Sequence, residues 1–285
     1  MNPLLADLLK VLVLERLEMN LFRGESRDIG SPQVYGGQVL GQALMAATAT
    51  VDARGVHSLH AYFLRRGDFN HPIIYEVDRS RDGASFSSRR VIAIQHGHQI
   101  FHMSASFQME ESGFEHQLQM PDVPGPDSLH EEGTTGLRPV RHSDGPGHDL
   151  TRLQRPFRFR TVPTYSAPTA ADGAPLLCLW FRPIETVPGD DALHAALLAY
   201  VSDYHLLAAA LVRHGVEPGR SGMVLASLDH AMWFHRSVRL DDWLLYVTDS
   251  PSASGGRGLA RGSIFDRAGG LVASTAQEGL MRVRG

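Results

Sequence analysis

A single cysteine, Cys178, is all that this chain of 285 residues contains, so no intrachain disulfide can brace it. It lies in "LLCLWF" (176–181), with no basic neighbour to activate a thiol. That setting marks a structural, buried cysteine, and a reducing, cytoplasmic location fits it. Lysine is almost as scarce: of 27 basic residues only Lys10 is a lysine. Any phosphate-bearing ligand would therefore be gripped by planar guanidinium forks. Positive charge is not in excess either. The net charge is −4, which excludes a global basic field for nucleic acid. No run of about eighteen apolar residues occurs, so no membrane span is expected. The N-terminal "MNPLLADLLKVLVLERLEMNLFRG" spreads Asp7, Lys10, Glu15, Arg16 and Glu18 among its apolar residues. A signal peptide would put positive charge first and then an unbroken apolar core, so this stretch reads as an amphipathic helix. Also missing are a G-x-S-x-G elbow, a P-loop and a G-x-G-x-x-G run. Serine-hydrolase, nucleotide-hydrolysis and hydride-transfer readings are thereby left without support.

What is present is a duplication. The segment from Ser58, "SLHAYFLRRGDFNHPIIYEV…QHGHQIFHMSASFQ", can be laid over the segment from Ser227, "SLDHAMWFHRSVRLDDWLLYVT…DRAGGLVASTAQ". Both begin Ser-Leu and both end in glutamine, and one interval separates Ser58 from Gln108 and Ser227 from Gln277. Alternating β-branched and aromatic stretches punctuated by glycine predict strands over 72–80, 86–96 and 99–110 in the first copy. In the second they predict strands over 242–250, 257–266 and 270–278. Each copy is preceded by an apolar stretch that reads as a helix: "GGQVLGQALMAATAT" (36–50) and "HAALLAYVSDYHLLAAAL" (194–211). Asp190 or Asp191 can cap the start of the second, and Gly215 follows its end where a left-handed residue is favoured. A helix that is apolar on every side has to be wrapped. The fold expected is α+β, a long helix rolled into a curved antiparallel sheet, made twice. The units are an N-terminal one over 1–115 and a C-terminal one over 155–285. A linker over 116–154, rich in Pro, Gly, His and Asp and partly mobile near 122–148, joins them.

One carboxylate, Asp203, falls in the middle of the second apolar stretch. Burying an unpaired charge costs several kcal/mol or forces protonation. Two readings stand: a carboxylate satisfied by a buried donor, or a desolvated general base that orients a water, with its pKa raised toward neutrality. Ser227, at the start of a strand, and Gln277, near the end of the last one, supply a hydroxyl and an amide. Acid, hydroxyl and amide together can hold one water in place. The first copy keeps Ser58 and Gln108, but a helix-to-helix overlay puts Gln38 opposite Asp203, so only one copy has a base. "VYGGQV" (34–39) brings a glycine pair into a helix start. The pair reads either as loop flexibility or as backbone N–H groups aimed at a carbonyl oxygen. "QHGHQIFH" offers His96, His98 and His102, but Gly97 marks a turn and no carboxylate ligand follows, so no metal is expected.

The segments "SDYHLL", "LDHAMWFHR", "GGLVASTAQEGLMR", "YGGQVLGQAL" and "HSLHAYFLRRGD" closely resemble the type II acyl-CoA thioesterases, which are double-hotdog proteins. The likeness runs from about residue 10 to the C-terminus and thins only in the 122–150 linker. It implies hydrolysis of acyl-CoA to free fatty acid and CoA, in fatty acid metabolism, without metal or organic cofactor. The family's catalytic aspartate matches Asp203 and its glutamine matches Gln277. Its hydroxyl position, usually threonine, is occupied by Ser227, which keeps the donor and acceptor but loses the methyl that restricts the rotamer. For substrate binding the helix start points to Gly36, Gly37 and Gln38. Arg65, Arg66, Arg236 and Arg257 are candidates for the CoA phosphates. Self-association as a homodimer or higher homo-oligomer is expected, with acyl-CoA as the one small-molecule partner. The alternatives are a hotdog-type enoyl-CoA hydratase or dehydratase and a non-catalytic acyl-CoA binding protein. The first would want an Asp/His pair, for which Asp203 and His205 are poorly spaced on a helix.

Overall fold

The computed structural model describes residues 1–31, 33–131, 155–170, 172–216, 223–237 and 239–283. Chain entry is helix α1 (Pro3–Leu12), whose first turn holds a proline and is capped by the Asn2 side chain accepting from Leu4 N–H. Leu5, Leu8 and Leu12 form its buried stripe, as the amphipathic pattern requires. Strands β1 (Glu15–Glu18) and β2 (Leu21–Gly24) lead to α2 (Gly36–Thr48). There follow β3 (Gly55–Phe63), β4 (Ile73–Asp82), β5 (Phe86–Gln95) and β6 (His98–Gln108). After the connection come β7 (Phe157–Thr161), β8 (Leu177–Pro183), α3 (Asp191–Ser202) and α4 (Ala208–Val212). The chain closes with β9 (Met223–Ser227), β10 (Asp229–Phe234), β11 (Leu244–Ser254), β12 (Arg257–Phe265) and β13 (Leu271–Val283).

All 13 of these strands belong to one antiparallel sheet, in the order β1-β2-β4-β5-β6-β3-β10-β13-β12-β11-β8-β7, with β9 paired to β13. Read outward from the centre, β3-β6-β5-β4-β2 repeats as β10-β13-β12-β11-β8, so the predicted duplication is visible in the topology. The halves meet where β3 and β10 pair, from Ser58↔Trp233 to Tyr62↔Asp229. A single apolar core runs across that junction and holds α2 and α3 with the inner faces of both half-sheets.

The two central helices touch at backbone distance because α2 presents glycine to α3. A Cβ on Gly41 would lie 3.0 Å from the Ala196 carbonyl, and one on Gly37 only 2.2 Å from the Tyr200 carbonyl. Glycines one turn apart on the same helix face are therefore what permits the crossing.

The second helix departs from its expected length. Asp190 caps its start as predicted, accepting from Leu193 N–H at 3.0 Å. The helix then stops at Ser202, with Asp203 as C-cap, instead of running on through 211. The reason is local chemistry joined to remote capping. Ser and Asp favour side-chain-to-backbone bonds over helix continuation. The Ser202 carbonyl is taken by Tyr246 Oη from β11 at 3.1 Å, and His205 adopts a left-handed φ of 64°. After α4 the left-handed Gly215 (φ 62°) appears as anticipated.

Residues 116–131 lie against the outer face of the C-terminal half-sheet. Trp180 Nε1 donates to the Pro124 carbonyl at 3.0 Å, and Gln117 bonds both Gly269 and Leu271. Met120, Val123 and Leu129 cover a small second core of Cys178, Trp180, Trp243, Leu245 and Phe265. The part of the expected mobile stretch over 122–131 is thus held down by specific bonds; the remainder, 132–148, lies outside the described residues.

Candidate active site

At the end of α3 the backbone turns, and the turn delivers Asp203 to the junction of the two halves. Its Oδ1 accepts from Gln277 Nε2 at 2.7 Å. Its Oδ2 lies so close to the first residue of α2 that a Cβ on Gly36 would be 2.8 Å away. The carboxylate is half-buried, between the negative end of the α3 dipole and the positive end of the α2 dipole. The sequence reading of an acid in the middle of a helix is therefore corrected. Asp203 is at a helix end, where a side chain can leave the packed cylinder.

Gln277 comes from β13, where the alternation of strand side chains buries residues 273, 275, 277 and 279 on one face. Its Nε2 reaches Asp203, while its Oε1 is buried without a hydrogen-bond partner. A buried carbonyl oxygen without a donor is costly, which marks this end of the amide as the point where the site lacks a donor among the described residues. Ser227 ends β9 opposite Gly279, a diagonal neighbour of Gln277 about 7–8 Å away on the same face. Its hydroxyl makes no hydrogen bond among the described residues. One residue on, Leu228 donates to Glu278 O and accepts from Phe63 N–H, which passes the chain from β13 to β3.

Gly36 and Gly37 open α2. Neither is present for loop flexibility: Gly36 leaves room for the Asp203 carboxylate and the Phe63 ring, and Gly37 for the Tyr200 carbonyl. As first-turn residues their N–H groups have no intrahelical acceptor. Gln38 differs. Its N–H donates to the Tyr35 carbonyl at 3.0 Å, and its buried Oε1 accepts from Arg27 N–H. Arg236 is not brought to the site. It lies beyond β10, at the opposite end from His230, and donates to the Leu271 carbonyl at 2.7 Å. In the first copy Gln108 is partly exposed and bonds Glu111, while its neighbour Phe107 is buried. Gln108 and the buried Gln277 thus lie on opposite faces of the sheet. The equal interval that matched them in the sequence slips the register by one, which reverses the face. Ser58 is buried in the β3–β10 seam. The Gln38–Asp203 overlay also fails, since one residue opens its helix and the other closes one.

Several neighbours went unassigned in the sequence. Tyr35 Oη donates to the Tyr200 carbonyl at 2.9 Å, its ring stacks on Tyr204, and Tyr200 and Tyr204 share a hydrogen bond of 3.2 Å. Burial pushes all three phenols up, and the Asp203 charge adds to the effect at Tyr35, so they serve as neutral donors. Tyr246 donates to Ser202 O and bonds Thr275 Oγ1 at 2.8 Å. His230, alternating with Met232 on the inward face of β10, is fully buried between Ser202 and Gln277. The alternation in "LDHAMWF" was the signal for it.

The run His96, His98, His102 does not gather. His102 bonds Gln99, while His96 joins His71 and Asp68, whose ligating atoms all lie within 4.8 Å. That trio could hold a metal ion, yet hydrogen bonds account for it: Asp68 accepts from Asn70 and pairs with His71, which draws its carboxyl down to about 2. It stands apart from Asp203, on the β3–β4 loop and the β5–β6 turn.

Comparison with known proteins gives one consistent result. A family model described as acyl-CoA thioesterase matches residues 156–280, and one described as acyl-CoA thioesterase N-terminal domain matches 23–108. Acyl-CoA thioesterase 2 of Haemophilus influenzae is 41% identical over 99% of both chains. Human acyl-coenzyme A thioesterase 8 is 39% identical over 96% of this chain and 88% of its own. Among solved structures, the acyl-CoA thioesterase II TesB2 of Mycobacterium marinum superposes with a TM-score of 0.83 at 43% identity, over 98% of this chain and 99% of that one. A hot dog fold protein of Alicyclobacillus acidocaldarius reaches 0.74 at 18% identity, over 98% of this chain and 99% of that one, a likeness of fold alone.

Proposed function

On the premise that this chain belongs to the acyl-CoA thioesterase family, we infer that Asp203 directs a water molecule onto the thioester carbonyl of acyl-CoA. The overall reaction is acyl-CoA thioester hydrolysis, giving free acid and CoA. The observation that carries the assignment of Asp203 is its bond to Gln277 Nε2, with Gln277 Oε1 left buried and without a donor beside it.

Water is a poor nucleophile until its proton has an acceptor. With one hydrogen toward Asp203 and the other toward Gln277 Oε1, and with Ser227 able to donate to its oxygen, the water has a lone pair free for the carbonyl carbon. Attack forms the C–O bond and passes the water proton to Asp203. The tetrahedral oxyanion then collapses, the C–S bond breaks, and the thiolate leaves and takes up the proton. A thiolate is a good leaving group, so no strong acid is needed opposite, and no acyl-enzyme is formed. The free N–H groups of Gly36 and Gly37, at the positive end of α2, supply oxyanion stabilisation. Removal of one such donor typically costs two to three decades, about 10²–10³, in rate. Gln38 supports this helix start through Arg27 and is no longer assigned to substrate, and neither is Arg236.

We read the architecture as a double hotdog, units 1–115 and 155–285, with the catalytic side chains Asp203, Ser227 and Gln277 all in the second and the oxyanion N–H groups supplied by the first. Self-association as a homodimer and a cytoplasmic, reducing location complete the reading. No helix among the described residues is long and apolar enough to cross a membrane. The test pairs two measurements on Asp203→Asn. This variant is nearly isosteric but cannot take a proton. Thiol release should fall by about two to four decades in kcat with acyl-CoA binding nearly unchanged, and the melting temperature should hold or rise. Wild-type turnover with lowered stability would show Asp203 to be structural.

A further inference from the structure

The bond that makes Gln277 useful has a direction, and Gln277 alone does not fix it. An amide can turn over, exchanging oxygen and nitrogen at little cost in shape. Turned over, it would put its oxygen against the Asp203 carboxylate and its N–H₂ toward the water. Something must prevent that.

Ser202, His230 and Gln277 form a buried chain. Ser202 Oγ donates to the Ala199 carbonyl at 2.9 Å. With its one proton spent, the hydroxyl can only accept from His230 Nε2, which lies 3.0 Å away. The imidazole therefore carries its proton on Nε2 and presents a lone pair at Nδ1. Nδ1 stands 3.4 Å from Gln277 Nε2. The amide nitrogen has two protons, one for Asp203 Oδ1 at 2.7 Å and one for this lone pair. Every donor meets an acceptor in this arrangement, and in the overturned one the amide oxygen would face both the imidazole lone pair and the carboxylate. His230 is fully buried, so no solvent can substitute for either bond. Burial also lowers its pKa, outweighing the nearby Asp203 charge, which keeps the ring neutral as the chain of bonds requires.

We propose that His230 is a positioning residue: its Nδ1 lone pair, set by the Ser202–Ala199 bond behind it, holds the Gln277 amide with nitrogen on Asp203 and oxygen toward the attacking water. The inference rests on the reading of Asp203 and Gln277 given above. It adds a group that touches neither substrate nor water, and it links the end of α3 to β10 and β13.

Two substitutions separate positioning from mere packing. In His230→Asn the side-chain oxygen can occupy the place of Nδ1 and accept from Gln277. In His230→Gln the amide reaches the place of Nε2 and can serve Ser202, but nothing accepts from Gln277. The expected result is kcat within about threefold of wild type for Asn and a loss of about tenfold or more for Gln. KM should stay within about twofold in both, since a lost orientation acts on the transition state. In a Gln277→Ala background, His230→Gln should cost less than about twofold further, because there is no amide left to orient. Equal kcat for the two variants, or an undiminished loss in the Gln277→Ala background, overturns the proposal. If Asp203→Asn is inactive while both His230 variants keep wild-type kcat, the reading of Asp203 stands and this proposal alone falls. An independent readout uses the wild-type protein: nitrogen-15 NMR with labelled histidine should find His230 as the neutral Nε2–H tautomer near pH 7. An Nδ1–H tautomer or an imidazolium there contradicts it, whatever the variants do.

Discussion

Adding one methyl group at either of two adjacent glycines should separate the chemistry of this site from its packing. A Cβ at residue 36 would sit 2.8 Å from Asp203 Oδ2 and 3.0 Å from Phe63 Cε1. An ordinary carbon–oxygen contact is about 3.3 Å or more, so in Gly36→Ala the carboxylate must retreat by roughly half an ångström. The retreat stretches the 2.7 Å bond to Gln277. A misplacement of about 1 Å can cost about a hundredfold in rate, so half of that should cost about tenfold in kcat. Stability should change little, since alanine is a better helix residue than glycine by up to about 1 kcal/mol. Residue 37 behaves differently. There the new Cβ would lie 2.2 Å from the Tyr200 backbone oxygen, and neither helix backbone can step aside without parting α2 from α3. Overpacking of this kind costs about 1–3 kcal/mol or more. At a few degrees per kcal/mol, the melting temperature of Gly37→Ala should drop by about 5 °C or more. The assay is thiol release per folded molecule beside thermal unfolding for both variants. Wild-type kcat in Gly36→Ala would refute the placement of Asp203 against the start of α2. Wild-type melting in Gly37→Ala would refute the backbone crossing.

Two further outcomes follow from protonation states. Burial, with Arg155 beside it, depresses His205 to about 3 from an ordinary 6.5, so the folded state prefers the neutral ring. Its contribution to stability is full above about pH 6.5 and is lost as pH falls from there toward 3. The melting temperature should therefore fall between pH 7 and 5, and less steeply in His205→Asn, which tolerates the left-handed backbone. His57, His194, His230 and His235, also lowered by burial, contribute to the remaining slope; parallel curves for the two proteins would contradict the assignment to His205. Burial pushes the Cys178 thiol up to about 12. A disulfide reagent should therefore take up no protein thiol in the native state and one equivalent after denaturation, and prompt reaction of the native protein would show the outer-face core to be open.

Much of this architecture was legible in the sequence because its strands alternate. The expected stretches 86–96 and 257–266 match β5 and β12 to within a residue, since one face of each is core and the other is not. Asp203, Ser227 and Gln277 stood out in the sequence by residue type and setting. Their geometry did not, because what ends α3 at Ser202 comes from far along the chain. Tyr246 on β11 takes the Ser202 carbonyl, and Tyr35 takes that of Tyr200. Gln108 shows the opposite failure. An equal interval suggested equivalence with Gln277, but a strand side chain changes face at every step, and spacing cannot report on a slipped register. Arg236 looked like a ligand for phosphate because arginines so often are; a backbone carbonyl had already taken it. The glycine pair at 36 and 37 was legible as unusual, but the room it leaves for the Asp203 carboxylate and the Tyr200 carbonyl was not, since only the packed partner reveals what a missing Cβ makes room for.

The central claim is that water, directed by Asp203, is the nucleophile itself. Hydrolysis of one equivalent of acyl-CoA by excess enzyme in ¹⁸O-labelled water tests it most directly, with the mass of the acid and of the intact protein read together during the first turnover. The account predicts one labelled oxygen in the fatty acid, none in the protein, and no acyl adduct at any time. Unlabelled acid with the label in the peptide that carries Asp203, or a transient acylated protein, would mean that the carboxylate or Ser227 attacks the thioester directly, and the account would be wrong.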